Sequence, residues 1–227
     1  MKICPNRVVI ESNGEYLCDG TLLSPYFIIT SAECMKQKDP WLTMKIKINA
    51  DSTLEGAKTY AVGQVMVHEN FTYTNFHTPV NNIALIRLNE PIRIQGGYKA
   101  LNLIDADKNL DPGDEAYTCS SGGIKRNEEN SKKHDLRQSD VLLVDRAVCN
   151  ETYASVGGLA DDQICAGYYG FRDTNAPCYG DLGSPLIIDN ELVGMSSWVN
   201  DCHELNKPAV FTDIWFHLRW IYSHIDI

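Results

Sequence analysis

Short apolar runs separated by polar breaks fill the first half of the chain. Arg7–Glu11, Glu15–Leu23, Tyr26–Thr30, Thr43–Asn49, Tyr60–His68 and Ile83–Leu88 are β-branched or alternate apolar with polar side chains, the pattern of short strands. A polar stretch from Asp105 to Asp114, containing Pro112-Gly113, breaks this pattern and is expected to link two halves. The style resumes in Glu115–Cys119, Leu136–Val144, Gln163–Ala166, Pro185–Asp189, Leu192–Trp198 and Pro208–Thr212. Ser121–Ser139, with Lys125-Arg126 and Lys132-Lys133, is polar enough to predict a long exposed loop open to nicking. The period changes at the end. Ile214, Trp215, Leu218, Ile221, Tyr222 and Ile225 fall on one face of a helix over about 213–225, with Thr212 or Asp213 as its N-cap. Many short strands closed by one helix predict an all-β chain of two small antiparallel barrels, about 5–104 and 114–212, with a C-terminal α-helix.

Composition narrows the class. With 227 residues, 44% of them hydrophobic and 22% charged, the chain can bury a core and is not a disordered polyelectrolyte. Its 20 basic and 30 acidic residues give a net charge of −10, which argues against a phosphate-backbone or heparin-type binder. No nucleic acid is therefore expected as partner. No apolar run approaches the roughly 20 residues of a membrane span. The cysteines are Cys4, Cys18, Cys34, Cys119, Cys149, Cys165, Cys178 and Cys202, an even set without CxxC or zinc spacing. This predicts a disulfide framework, an oxidising compartment, secretion, and no metal or cofactor. Sequons at Asn70-Phe71-Thr72 and Asn150-Glu151-Thr152 make Asn70 and Asn150 glycosylation candidates. Met1-Lys2-Ile3-Cys4-Pro5 has no apolar h-region, so a signal peptide is expected to lie outside this chain.

Three ordered segments carry the candidate chemistry. They are Cys18-Asp19-Gly20-Thr21-Leu22-Leu23 running on to Thr30-Ser31-Ala32-Glu33-Cys34, Asn81-Asn82-Ile83-Ala84-Leu85-Ile86-Arg87-Leu88, and Cys178-Tyr179-Gly180-Asp181-Leu182-Gly183-Ser184-Pro185-Leu186. Together they resemble the chymotrypsin-family serine peptidases, whose usual forms are CGGxLI…VLTAAHC, NDIALLRL and CxGDSGGPL. Ser197-Trp198 and Asn206-Lys207-Pro208-Ala209-Val210 extend the likeness to the family's SWG…NKPGV. The resemblance implies two six-stranded antiparallel barrels. It also implies bridges Cys18–Cys34, Cys149–Cys165 and Cys178–Cys202. Cys4 and Cys119, left without family partners, are paired with each other by elimination.

The family attacks a carbonyl with a serine, uses a histidine as base, and orients the histidine with an aspartate. At those three positions this chain has Leu182, Glu33 and Asn82. Leucine offers no nucleophilic atom, and asparagine beside a histidine would favour the wrong tautomer. Ser184, Ser196, Ser197 and His77 lie near the motifs but are expected to be packing or surface residues. The resemblance places a vestigial oxyanion hole at the backbone N–H groups of Gly180 and Leu182. It places a vestigial specificity pocket at Ala176, Ser197, Trp198, Val199 and Ala209. Ala176 lacks the counter-charge of trypsin-like members, and Val199 and Ala209 stand where glycines keep the pocket open. Activation in the family frees an IVGG-like N-terminus whose ammonium pairs with the aspartate before the nucleophile, here Asp181. No such segment is present in this sequence, which would leave Asp181 without that partner. Leu54-Glu55-Gly56 resembles part of a calcium loop, but Lys58 replaces an oxygen ligand, so no calcium site is expected.

The expected function is that of a secreted, monomeric, non-catalytic homologue that binds another protein. The partner would be an active protease, a protease inhibitor or an immune factor, and the role that of cofactor, regulator or decoy. The alternatives are a trypsin-like endopeptidase with residual or altered activity, and a ligand carrier or a glycan- or membrane-binding toxin. The acidic charge weakens the last.

Overall fold

The computed structural model describes residue 4 and residues 6–36, 41–48, 57–93, 100–120, 137–167, 182–198 and 207–225. In chain order the strands are β1 (Arg7–Ser12), β2 (Glu15–Leu22), β3 (Phe27–Thr30), β4 (Met44–Ile48), β5 (Lys58–Val67), β6 (Thr72–Tyr73), β7 (Pro79–Val80) and β8 (Ala84–Leu88). They continue with β9 (Asn102–Leu103), β10 (Glu115–Ser120), β11 (Arg137–Val144), β12 (Gln163–Gly167), β13 (Pro185–Ile188), β14 (Glu191–Trp198) and β15 (Ala209–Asp213). The helices are α1 (Arg146–Thr152) and α2 (Ile214–His224). The first barrel closes in the order β1-β2-β3-β8-β5-β4. The second runs β13-β10-β11-β12-β15-β14 and closes through β13 against β14. β9 adds to its edge as a parallel neighbour of β14, so Asn102 and Leu103 pair with the second barrel although they precede the linker.

Local sequence explains the pairing. Asn13-Gly14 joins β1 to β2 with φ of 53° and 85°, the double left-handed turn that matches the twist of a two-residue hairpin. Asp189-Asn190 does the same between β13 and β14 with φ of 51° and 66°. In β4, Met44, Ile46 and Ile48 point inward. Lys45 points outward, and Lys47 reaches Glu11 at 2.6 Å. Where the expected Ser121–Ser139 loop and Leu136–Val144 strand overlap, the strand holds: Arg137–Ser139 pairs with β10, while 121–136 lies outside the described residues.

One apolar cluster spans both barrels. Ile29, Ile83 and Leu85 of the first join Leu186, Met195 and Phe211 of the second, with Leu218 and Ile221 of α2. The site described below lies at this junction. Disulfides link Cys18 to Cys34, Cys149 to Cys165, and Cys4 to Cys119. The last ties the start of the first barrel to β10, with Cα atoms 6.3 Å apart. Cys178 and Cys202 lie outside the described residues.

Candidate functional site

Asn82 sits just before β8, essentially inaccessible to solvent. Its Oδ1 accepts from the Glu33 main-chain N–H at 2.9 Å and from Ser31 Oγ at 2.7 Å. The backbone donor fixes which end of the amide is oxygen, since an N–H cannot face the amide NH2. Nδ2 therefore faces Ser197 and donates to its Oγ at 2.9 Å. Thr212 Oγ1 donates to the Asn82 carbonyl at 3.1 Å. The preceding residue, Asn81, is held from the second barrel, where Asp162 Oδ2 accepts its N–H at 2.6 Å. Ser197 is thus an interior hydroxyl committed to Asn82.

Glu33 is the second residue of the 3-10 turn Ala32–Lys36 that follows β3. Its carboxylate turns towards Tyr73, whose hydroxyl donates to Oε1 at 3.0 Å. Burial and then the adjacent Glu33 charge push the Tyr73 phenol up to about 12. Lys36 Nζ lies 4.2 Å from the Tyr73 ring centre and 4.7 Å from that of Phe71, a cation over two aromatic faces. Among the described residues, no hydrogen bond joins the Glu33 side chain to Asn82. The two positions meet only through the Glu33 main chain.

Leu182 packs its side chain on the first-barrel apolar cluster that includes Cys18 and Cys34. The turn behind it is close-packed. Gly183 has φ of +82°, and a Cβ there would stand 2.2 Å from the Asp19 carbonyl oxygen. Its N–H donates to the Ser196 carbonyl at 3.0 Å, and the Ser196 N–H to the Ser184 carbonyl at 2.8 Å. Ser184 points into the interior, where its Oγ donates to Asp19 Oδ2 at 2.8 Å. Sequence reasoning passed over Asp19. The signal lay in two departures from the family forms, an aspartate in CGGxLI and a serine for the second glycine after the nucleophile position.

The other expected residues divide. Trp198 stacks edge-on to Tyr153 at 4.8 Å, and Ala209 is buried in β15. His77 is exposed in a turn with φ of 63°. Asn70 and Asn150 are both exposed, and Asn150 Oδ1 accepts from the Leu159 N–H at 2.9 Å. Lys58 donates to the Arg93 carbonyl at 3.0 Å. Gly180, Asp181, Ala176, Val199 and Leu54-Glu55-Gly56 lie outside the described residues.

This arrangement fits one family, and the trypsin family model matches residues 3–221. The chain belongs to the trypsin family. It is 28% identical to the mouse transmembrane protease serine 11E over 230 residues, covering 98% of this chain and 52% of that protein. It is 27% identical to mouse transmembrane protease serine 11C over 224 residues, covering 96% of the chain and 50% of that protein. This trypsin-family chain thus spans about half the length of the curated relatives it matches. Among solved structures it resembles neuropsin, a serine protease expressed in the limbic system of mouse brain. The TM-score is 0.84 with 25% identity, covering 98% of this chain and 95% of that one. Among the described residues of this trypsin-family domain, no helix is long and apolar enough to cross a membrane.

Proposed function

We propose that this trypsin-family chain is a secreted, non-catalytic serine protease homologue that acts by binding another protein. The observation that carries the reading is Leu182. An apolar side chain packed on the first barrel stands where the family's nucleophile belongs, and no acyl-enzyme can form on it. Two further features support it. Asn82 spends its amide on Ser31, the Glu33 N–H and Ser197. Glu33 is turned to Tyr73, and among the described residues its carboxylate forms no base–orienter pair with Asn82. The scaffold and its bridges support a binding role as cofactor, regulator or decoy towards an active protease, a protease inhibitor or an immune factor. The disulfides and the exposed sequons support an extracellular protein glycosylated at Asn70 and Asn150.

The test is incubation of the purified protein with a fluorophosphonate probe and with a broad peptide-substrate set. No labelling and no turnover are expected. Stoichiometric labelling, or turnover abolished by one substitution in this chain, overturns the reading.

A further inference from the structure

Behind the Leu182 turn lies a buried ionic chain that the cleft chemistry leaves unused. Asp19, in β2, is fully buried. Arg7 Nη2 donates to its Oδ1 at 2.5 Å, and Ser184 Oγ to its Oδ2 at 2.8 Å. The main chain of Asp19 joins the same junction. Its N–H donates to the Leu182 carbonyl at 2.9 Å, and its carbonyl accepts from Thr30 Oγ1 at 2.7 Å. Gly183 lies directly against that carbonyl. Arg7, Asp19 and Thr30 belong to the first barrel, whereas Leu182 and Gly183 lead into β13 of the second.

A buried carboxylate persists only when both oxygens are supplied with donors or cations, and a buried hydroxyl only when it finds an acceptor. Asp19 and Ser184 each stand where the family forms have glycine, and each supplies what the other needs. Either replacement alone would leave a buried polar group short of a partner. Together with Arg7 they form a coupled set. In the family, order in this turn depends on the carboxylate before the nucleophile meeting a freed N-terminal ammonium. The chain through Asp19 reaches the same turn from the first barrel and needs no such cation.

We propose that Arg7, Asp19 and Ser184 form a permanent latch between the barrels. It holds the Leu182 turn, and the surface that turn offers a partner, in one conformation whether or not the N-terminus has been freed by proteolysis. The latch acts on conformation alone, so it stands or falls separately from the absence of catalysis.

Hydrogen exchange read by mass spectrometry or NMR tests it on the full chain. The informative amides are Asp19, Gly183 and Ser196, each bonded within the junction. In the first arm the chain is compared with and without an excess of a short peptide of the family's IVGG-like form, which offers the activating ammonium in trans. Protection at these amides is expected to agree within twofold, and a tenfold gain on adding the peptide overturns the proposal. In the second arm Asp19→Gly, Ser184→Gly and Arg7→Gln are combined, which restores the family glycines and removes both buried charges, so that the variant folds. Exchange at the three amides is expected to rise at least tenfold while Leu218 and Ile221 in α2 are unchanged. Unchanged protection at Gly183 and Ser196 overturns the proposal. The fluorophosphonate assay is independent of both arms.

Discussion

Asn82 satisfies the pocket built around it by reversing the hydrogen bond at one end. A carboxylate there would accept from Ser31, from the Glu33 N–H and from Ser197 alike; the amide accepts from the first two and donates to the third. Because Ser197 Oγ can serve either way, the exchange costs no hydrogen bond. Asn82→Leu would instead strand three buried polar groups, and unsatisfied groups cost about 1–3 kcal/mol each. A loss of roughly 3 kcal/mol in urea unfolding is expected, after partial relaxation. Tyr73 makes a second prediction. Its phenol should titrate near 12 by ultraviolet absorbance, and Glu33→Gln should bring it back towards 10.0. The proton is held more tightly in the folded chain. The stabilisation is therefore complete below the unfolded value of 10.0 and is lost as pH rises through about 12.

Elements with a clear period were legible in the sequence, and those without one were not. The strands from Arg7 onward and α2 follow from alternation and from a helical stripe. α1 escaped because its one buried side chain is Cys149, which leaves no apolar face to read, although Asp145 caps it by accepting from the Ala147 and Val148 N–H groups. β6, β7 and β9 have two residues each, too few to show a period. In α2, Asp213 accepts from the Trp215 and Phe216 N–H groups. Asp213→Ala should cost about 1 kcal/mol by chemical denaturation. The helix also packs Trp220 and His217 against His68, with ring centres 5.0 and 5.1 Å apart. Burial first, then His217, holds His68 below its ordinary 6.5, while Glu69 and Asp162 pull the other way. The unfolded chain then takes up the proton first. Stability is full above about 6.5 and falls as pH drops through the lower folded value. Thermal melts should be flat above that point and decline below it, and His68→Gln should flatten the decline.

At the scale of the molecule, two barrels share one apolar cluster and one cross-barrel disulfide, so they should unfold together. Replacing Cys4 and Cys119 by serine opens a loop with a sequence separation of 115 residues and should cost about 2–5 kcal/mol, read by guanidinium unfolding. The barrels and the family were legible because motifs are contiguous in sequence. The partnership of Arg7, Asp19 and Ser184 was not, because its members are brought together only by folding. Glu33→His, Asn82→Asp and Leu182→Ser combined should give little turnover against peptide substrates. Those changes rebuild three side chains and leave Ala176, Val199 and Ala209 where the family forms have a counter-charge and two glycines.

The anchorage of the Leu182 turn through Asp19 bears on the direction in which such a chain can evolve. Asp19→Gly alone would leave the Ser184 hydroxyl without its acceptor, and Ser184→Gly alone would strip a donor from the Asp19 carboxylate. Every single-step path back to the glycine pair therefore crosses a less stable intermediate. The coupled pair acts as a ratchet: with both side chains in place, a change to the family's glycine pair is harder than further divergence of the surface around it.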